Sequence, residues 1–248
     1  KKHDPEIVFH LAAQPLVTEA NRNPLPTFEN NIKGTWNVLE ASRHSNVQGI
    51  IVASSDKAYG IHERLPYTEE ARLQGTFPYD VSKSAKDLIA QAYFRTYGLA
   101  VGITRSGNFY GGGDLHFDRI VPGTVKSLLQ EERPIIRSDG KYIRDYIYIK
   151  DIANAYLIFA KKLGQFKGHA FNFSNEHPLA VIAIVNKIAL LINKQHLEPQ
   201  ILNQAKAEIK EQYLSSEKAR SLLDWRPKYN LDNSLLETIE WYKNYFSK

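Results

Sequence analysis

Gly49-Ile-Ile-Val-Ala-Ser54 is an apolar run without polar alternation, and it stops at Ser55-Asp56-Lys57. A run this short and uniform reads as a strand buried on both faces, the pattern of a parallel sheet. Glu6-Ile-Val-Phe-His-Leu-Ala-Ala13 before it and Leu99-Ala-Val-Gly-Ile-Thr-Arg105 after it have the same texture. Between the first two runs, Phe28, Ile32, Trp36, Val38 and Leu39 follow helical spacing from Thr27 to about Arg43. Between the second and third, a helix is predicted from about Tyr79 to Tyr97, with Pro78 at its start and Gly98 as its C-cap. Strand, helix, strand, helix, strand implies βαβ units and a doubly wound parallel α/β sheet. Ligands bind such sheets outside the carboxyl ends of the strands, where Ser55-Asp56-Lys57 and Ser106-Gly107-Asn108 both stand.

Asn23, Pro24 and Pro26 mark a loop, and Tyr59 to Phe77 is polar and turn-rich. After Asn108 the texture changes, beginning with the glycine turn Tyr110-Gly-Gly-Gly-Asp114. Helices are predicted at about 120–130, 150–162, 179–193, 215–223 and 232–246. Pro134–Arg137 and Arg144–Ile149 read as strands around a Ser138-Asp139-Gly140 turn, and Ala170–Phe173 as one more strand. The domain reading is 1–107 for the doubly wound part, with the strand near 170–174 returning to it, and 108–248 for a smaller α/β domain.

The chain has 248 residues, 43% of them hydrophobic, with no run near the ~20 apolar residues of a membrane span. It contains no cysteine, which excludes disulfides, thiolate nucleophiles and Cys-ligated zinc, and makes a cytoplasmic setting the expectation. The net charge of +5 arises from 32 basic residues intermixed with 27 acidic ones; the basic doublets are Lys1-Lys2 and Lys161-Lys162. That distribution suits a small anionic ligand rather than nucleic acid. Eight histidines show no metal-binding spacing, and His10 reads as part of a ligand-lining strand. Methionine is absent, including at position 1, so truncation is expected.

Tyr79 and Lys83 are four residues apart, so they share one helix face. An ammonium beside a phenol favours phenolate, which turns a group titrating near ~10 into a usable base. On spacing alone, a packed Tyr79 with a solvated Lys83 fits equally well, and Asp56-Lys57 fits a surface salt bridge.

The surrounding motifs resemble those of the extended short-chain dehydrogenase/reductase family over nearly the whole chain. They are Phe9-His-Leu-Ala-Ala13, Asn31-Ile-Lys-Gly-Thr-Trp-Asn-Val-Leu-Glu40, Ser55 with Tyr79 and Lys83, and Arg144-Asp-Tyr-Ile-Tyr-Ile-Lys-Asp151. Ser54-Ser-Asp-Lys-Ala-Tyr-Gly60, Arg105-Ser-Gly-Asn-Phe-Tyr-Gly-Gly-Gly-Asp114 and Glu208-Ile-Lys-Glu-Gln-Tyr-Leu214 are similar to its nucleotide-sugar 4,6-dehydratases, with CDP-glucose the expected substrate.

The resemblance implies a Rossmann-like domain that uses NAD and a homodimer formed through the helices at about 27–43 and 79–97. It implies that Tyr79 takes the proton of the sugar C4 hydroxyl, that Ser55 hydrogen-bonds the same oxygen, and that Lys83 lowers the Tyr79 pKa. Asp56 is then the acid at C6 and Lys57 the base at C5. That assignment needs a protonated Asp56 and a neutral Lys57, as in a closed site where the two share a proton. Leu11, Ala12, Ala13 and Ser54, with Tyr79 and Lys83, would line the cofactor. Asn108, Arg144 and Arg226 would meet the diphosphate, and Arg119 and Arg137 would approach the nucleotide. For each of these arginines a surface ion pair is the competing reading.

The glycine-rich phosphate loop expected after a first strand is missing, so two or more βα units, roughly 30 residues each, are expected ahead of Lys1. Three readings therefore stand: a dehydratase, an epimerase or reductase of the same family, and an inactive remnant that binds nucleotide sugar or only a partner.

Overall fold

The computed structural model describes residues 5–247. In chain order, β1 (Ile7–His10), α1 (Val17–Arg22), α2 (Pro24–Phe28), α3 (Gly34–Arg43), β2 (Gly49–Ala53), α4 (Pro78–Tyr97) and β3 (Val101–Ser106) come first. There follow β4 (Asn108–Tyr110), α5 (Ile120–Leu129), β5 (Ile135–Ile136), β6 (Ile143–Arg144), β7 (Tyr146–Tyr148) and α6 (Ile149–Lys162). The remainder is β8 (Ala170–Phe173), β9 (Leu179–Ala180), α7 (Val181–Ile192), β10 (Gln200–Ile201), β11 (Glu211–Gln212) and α8 (Leu231–Phe246).

The chain divides into two units. The first contains the described residues up to Gly107 together with Ala153–Ser174 and Leu214–Arg226; the second contains Asn108–Ile152, Asn175–Tyr213 and the residues from Pro227 on. In the first, a parallel sheet has the order β1-β2-β3-β8. Val52 of β2 pairs with both His10 and Ile103, so the uniform apolar run is an inner strand. Its side chains alternate between two helical layers. Ile50 and Val52 pack with Val101 and Ile103 against Leu39 of α3 and Ala90 of α4. On the opposite face, Gly102 lies under the ring of Phe159 of α6, and Thr104 donates to Tyr156 of the same helix. Helices on both faces explain why the strands read as continuous apolar runs.

The second unit is built around α5, α7 and α8, whose Val125, Ile188 and Ile239 share a core with Tyr110 and Tyr148. Its strands are two or three residues long. β4 pairs in parallel with β7 and β5 with β10, while β6 lies between β11 and β9.

Several local expectations are corrected. The segment expected as a loop around Pro24 and Pro26 is helical, because prolines in a first turn forfeit N–H groups that have no intrahelical partner. The strands expected around Ser138-Asp139-Gly140 do not pair with each other. The turn forms, with Ser138 Oγ accepting from Gly140 N–H, but β5 and β6 find their partners in β10 and β11. The helix expected at 215–223 ends in the wide turn Ala219–Leu223, and α7 begins only after the short strand β9. The Gly98 cap adopts φ 67°, as the end of α4 requires. The doublet Lys1-Lys2 lies outside the described residues.

One feature of the first unit is energetically unfavourable. Lys86 of α4 is fully buried, and among the described residues its amine donates to the Ala12 carbonyl alone, at 3.3 Å. Burial first, and the nearby Lys83 ammonium second, bring its pKa down to about 6. His10, whose Nε2 contacts Thr35 Oγ1 at 2.9 Å, is held down to about 4 by burial and then by Lys86 and Lys83.

Two predictions follow from the packing and from Lys86. A Cβ at Gly102 would stand 2.6 Å from the Phe159 ring, so Gly102→Val should destabilise by about 1–3 kcal/mol in denaturant melts. Lys86 is neutral when folded and binds a proton when unfolded, so its contribution to stability is lost as pH falls from 10.5 to about 6. Lys86→Met should therefore raise stability at neutral pH by about 1–3 kcal/mol and flatten the pH dependence across that window.

Candidate active site

β2 ends at Ala53, and the next residues form a tight 3-10 turn, Asp56–Tyr59. Ser55 precedes it in an extended conformation, and its Oγ accepts from the Lys57 N–H at 3.2 Å, so Ser55 caps the turn. The same hydroxyl donates to Asp56 Oδ1 at 2.9 Å. Lys57 Nζ donates to Asp56 Oδ2 at 3.0 Å, with the Lys57 side chain 12% exposed and that of Asp56 4%. This is a largely desolvated pair, unlike the surface salt bridge that the sequence also allowed.

Tyr79 and Lys83 occupy the first two turns of α4 and are both buried. The Lys83 ammonium lies 5.6 Å from the centre of the Tyr79 ring. The face they share is anchored to the chain following β1. Asn31 Nδ2 donates to Ser82 Oγ at 2.9 Å and to the Gln14 carbonyl at 3.0 Å, and Asn31 Oδ1 accepts from Gln14 N–H. Ser82 Oγ in turn donates to the Tyr79 carbonyl at 2.7 Å.

Beyond β1, Leu11 and Ala12 are exposed and Ala13 is half-buried. Ser54 Oγ, just past β2, is buried with no hydrogen-bond partner among the described residues. An open apolar floor beside an unpaired hydroxyl, a phenol and an ammonium fits the nicotinamide–ribose half of a dinucleotide. The pyrophosphate half finds no cradle here, because no glycine lies between β1 and Gly34.

The expected substrate contacts divide differently. In the second unit, Asn108 is half-buried in β4, its N–H donating to the Asp145 carbonyl. Arg144 is buried, and its guanidinium donates to the carbonyls of Ile143, Ile209 and Lys210, with Glu208 at 4.0 Å. It clamps the segment that bears the motif Glu208–Leu214. Arg119 pairs with Asp114 and Arg137 with Asp118, each at 2.8 Å. These two are the ion pairs named as the competing reading. Arg226, in the first unit, is exposed. A cavity of about 340 Å³ in the second unit, lined by Tyr146, Asn175, His177 and Tyr229 among others, includes none of these five residues.

Sequence reasoning passed over Lys86, although it stands three residues after Lys83 and so continues the same helix face. It also passed over Tyr59, which lies inside the motif Ser54–Gly60 but also opens the polar, turn-rich segment 59–77.

Residues 1–173 match the model of the NAD dependent epimerase/dehydratase family. The chain is 30% identical to CDP-glucose 4,6-dehydratase of Salmonella typhimurium, over 96% of this chain and 71% of that protein. The structure resembles dTDP-glucose 4,6-dehydratase from Streptomyces venezuelae, solved with NAD bound, at TM-score 0.90 and 25% identity, covering 96% of this chain and 73% of that one. It equally resembles UDP-glucose 4-epimerase from Thermotoga maritima, at TM-score 0.92 and 28% identity, covering 99% and 79%. These matches show that the chain belongs to the NAD dependent epimerase/dehydratase family.

Proposed function

We propose that this chain carries the reaction centre of a nucleotide-sugar 4,6-dehydratase acting on an NDP-glucose, with CDP-glucose the favoured substrate. The observation that supports this most directly is the desolvated Asp56–Lys57 pair beside Ser55. Abstracting one proton and delivering another to a leaving hydroxyl needs an acid and a base within one small volume, and both stand on a single turn. The similarity to CDP-glucose 4,6-dehydratase supports the choice of base.

NAD, when bound, accepts a hydride from the sugar and later returns it. Leu11, Ala12, Ala13 and Ser54 would hold its nicotinamide end, together with Tyr79 and Lys83. Tyr79 takes the proton of the C4 hydroxyl, and the Lys83 ammonium beside its ring favours the phenolate that does so. Ser55 would turn its single hydroxyl proton from Asp56 Oδ1 to the same oxygen. A C4 ketone acidifies the C5 proton; once the proton shared by the pair rests on Asp56, the neutral Lys57 amine removes the C5 proton while Asp56 gives its proton to the C6 hydroxyl, which leaves as water. Asn108, Arg144 and Arg226 would face the diphosphate, with Arg119 and Arg137 toward the nucleotide. Two chains would meet through α3 and α4, where Trp36, Val81 and Leu88 expose apolar surface.

The second reading, a 4-epimerase, draws on the equal structural likeness to the Thermotoga maritima enzyme. It uses Tyr79 and Lys83 but leaves Asp56 and Lys57 without a task.

Incubating the full-length protein with NAD and, separately, CDP-, dTDP-, GDP- and UDP-glucose should yield one product lighter by a single water. Asp56→Asn and Lys57→Met should each lower kcat for that product by about 10²–10⁴-fold while leaving NAD bound. An unchanged mass with inverted C4 would establish the epimerase instead. No bound NAD and no product would leave a binding remnant.

A further inference from the structure

Tyr59, which closes the turn begun by Asp56, is fully buried. Its hydroxyl donates to Asn172 Oδ1 at 2.7 Å and accepts from Arg105 Nη1 at 2.9 Å. Arg105 of β3 turns the rest of its guanidinium on α4, with Nε and Nη2 reaching the two oxygens of Asp87 at 2.8 and 2.9 Å. Asp87 lies one helical turn beyond Lys83 and two beyond Tyr79. All four network residues are almost wholly excluded from solvent. A second tie runs in parallel, since Ser84 Oγ donates to the Ala58 carbonyl at 2.7 Å.

A buried ion pair is a poor choice for stability alone, because apolar groups of similar volume often serve as well. What a bidentate guanidinium–carboxylate fork provides is orientation. Here the fork joins the helix carrying Tyr79 and Lys83 to the turn carrying Asp56 and Lys57, and Asn172 of β8 anchors its far side. Tyr59 is the only member of that network on the turn itself. We infer that Tyr59, held by Arg105 and Asp87, is a positioning residue that sets the Asp56–Lys57 pair at a fixed distance from Tyr79 and Lys83. The inference rests on the dehydratase reading for its kinetic consequence, not for its geometry.

Tyr59→Phe removes one hydroxyl and keeps the ring. In single turnovers of the full-length protein with NAD and its nucleotide sugar, the loss of water should slow about tenfold. Sugar oxidation should stay within about twofold, so reduced nicotinamide accumulates. A purely structural role would lower the active fraction and scale both steps together, and that outcome overturns the inference. A readout independent of turnover is the rate at which an amine-reactive ester labels Lys57, followed by peptide mass spectrometry. Labelling should rise several-fold in Tyr59→Phe and, through the second tie, in Ser84→Ala, relative to an exposed lysine such as Lys33. Unchanged labelling in both folded variants overturns the inference. If the wild-type protein inverts C4 without losing water, the dehydratase reading fails, and the labelling of Lys57 still decides the role of Tyr59.

Discussion

The backbone pairing of β2 is the constraint on which the first unit depends. With β1 on one side and β3 on the other, its register fixes where the chain leaves the sheet. The Ser54 N–H continues that ladder by donating to the Thr104 carbonyl, so the pairing extends to the residue before Ser55. Parallel strands all point their carboxyl ends one way, so the turn after β2, the floor after β1 and the end of β3 collect on a single edge. A sheet that packs helices on both faces leaves that edge as the place where polar side chains can gather without interrupting a core.

The gathering has an energetic cost within α4. Lys83 and Lys86 are both buried on the helix face toward β1, and among the described residues the Ala12 carbonyl alone accepts from Lys86. An apolar residue would sit there with less penalty, so this face is not optimised for stability. The polar contacts of Asn31, Ser82 and Gln14 compensate in part by satisfying backbone groups where the chain leaves β1. One turn beyond Lys83 on α4, Asp87 accepts both prongs of the Arg105 guanidinium, whose remaining nitrogen donates to Tyr59. One helix thus carries a buried, poorly satisfied lysine and, at the next residue, a satisfied ionic anchor, consistent with departures from good packing concentrating where chemistry is done.

Charge alone separated the arginines poorly. Arg119 and Arg137 hold the carboxylates of the half-buried Asp114 and the exposed Asp118, whereas Arg144 spends its donors on three carbonyls and fixes the segment leading into β11. A guanidinium so committed acts first on the shape of the chain around it. The dehydratase reading therefore leans on the turn after β2 more than on the diphosphate contacts.

The α/β class, the inner strand and the helix bearing Tyr79 and Lys83 were legible in the sequence, because uniform apolar runs and a proline-to-glycine helix frame are local signals. The adjacency of Ser55, Asp56 and Lys57 was legible for the same reason. The helix at Pro24 was not, since the same prolines that end helices can also begin them. The partners of β5 and β6 were not, because two-residue strands carry no pattern and pair with distant chain, β5 with β10 and β6 with β9 and β11. The sequence by itself determined which residues could do acid–base chemistry and on which strand end they stand. Only the tertiary structure decided that Asp56 and Lys57 are shielded from water, that Lys86 is buried beside Lys83, and that Tyr59, Arg105 and Asp87 meet. Burial and convergence arise from contacts between segments far apart in the chain, and no local stretch encodes its own solvent exclusion.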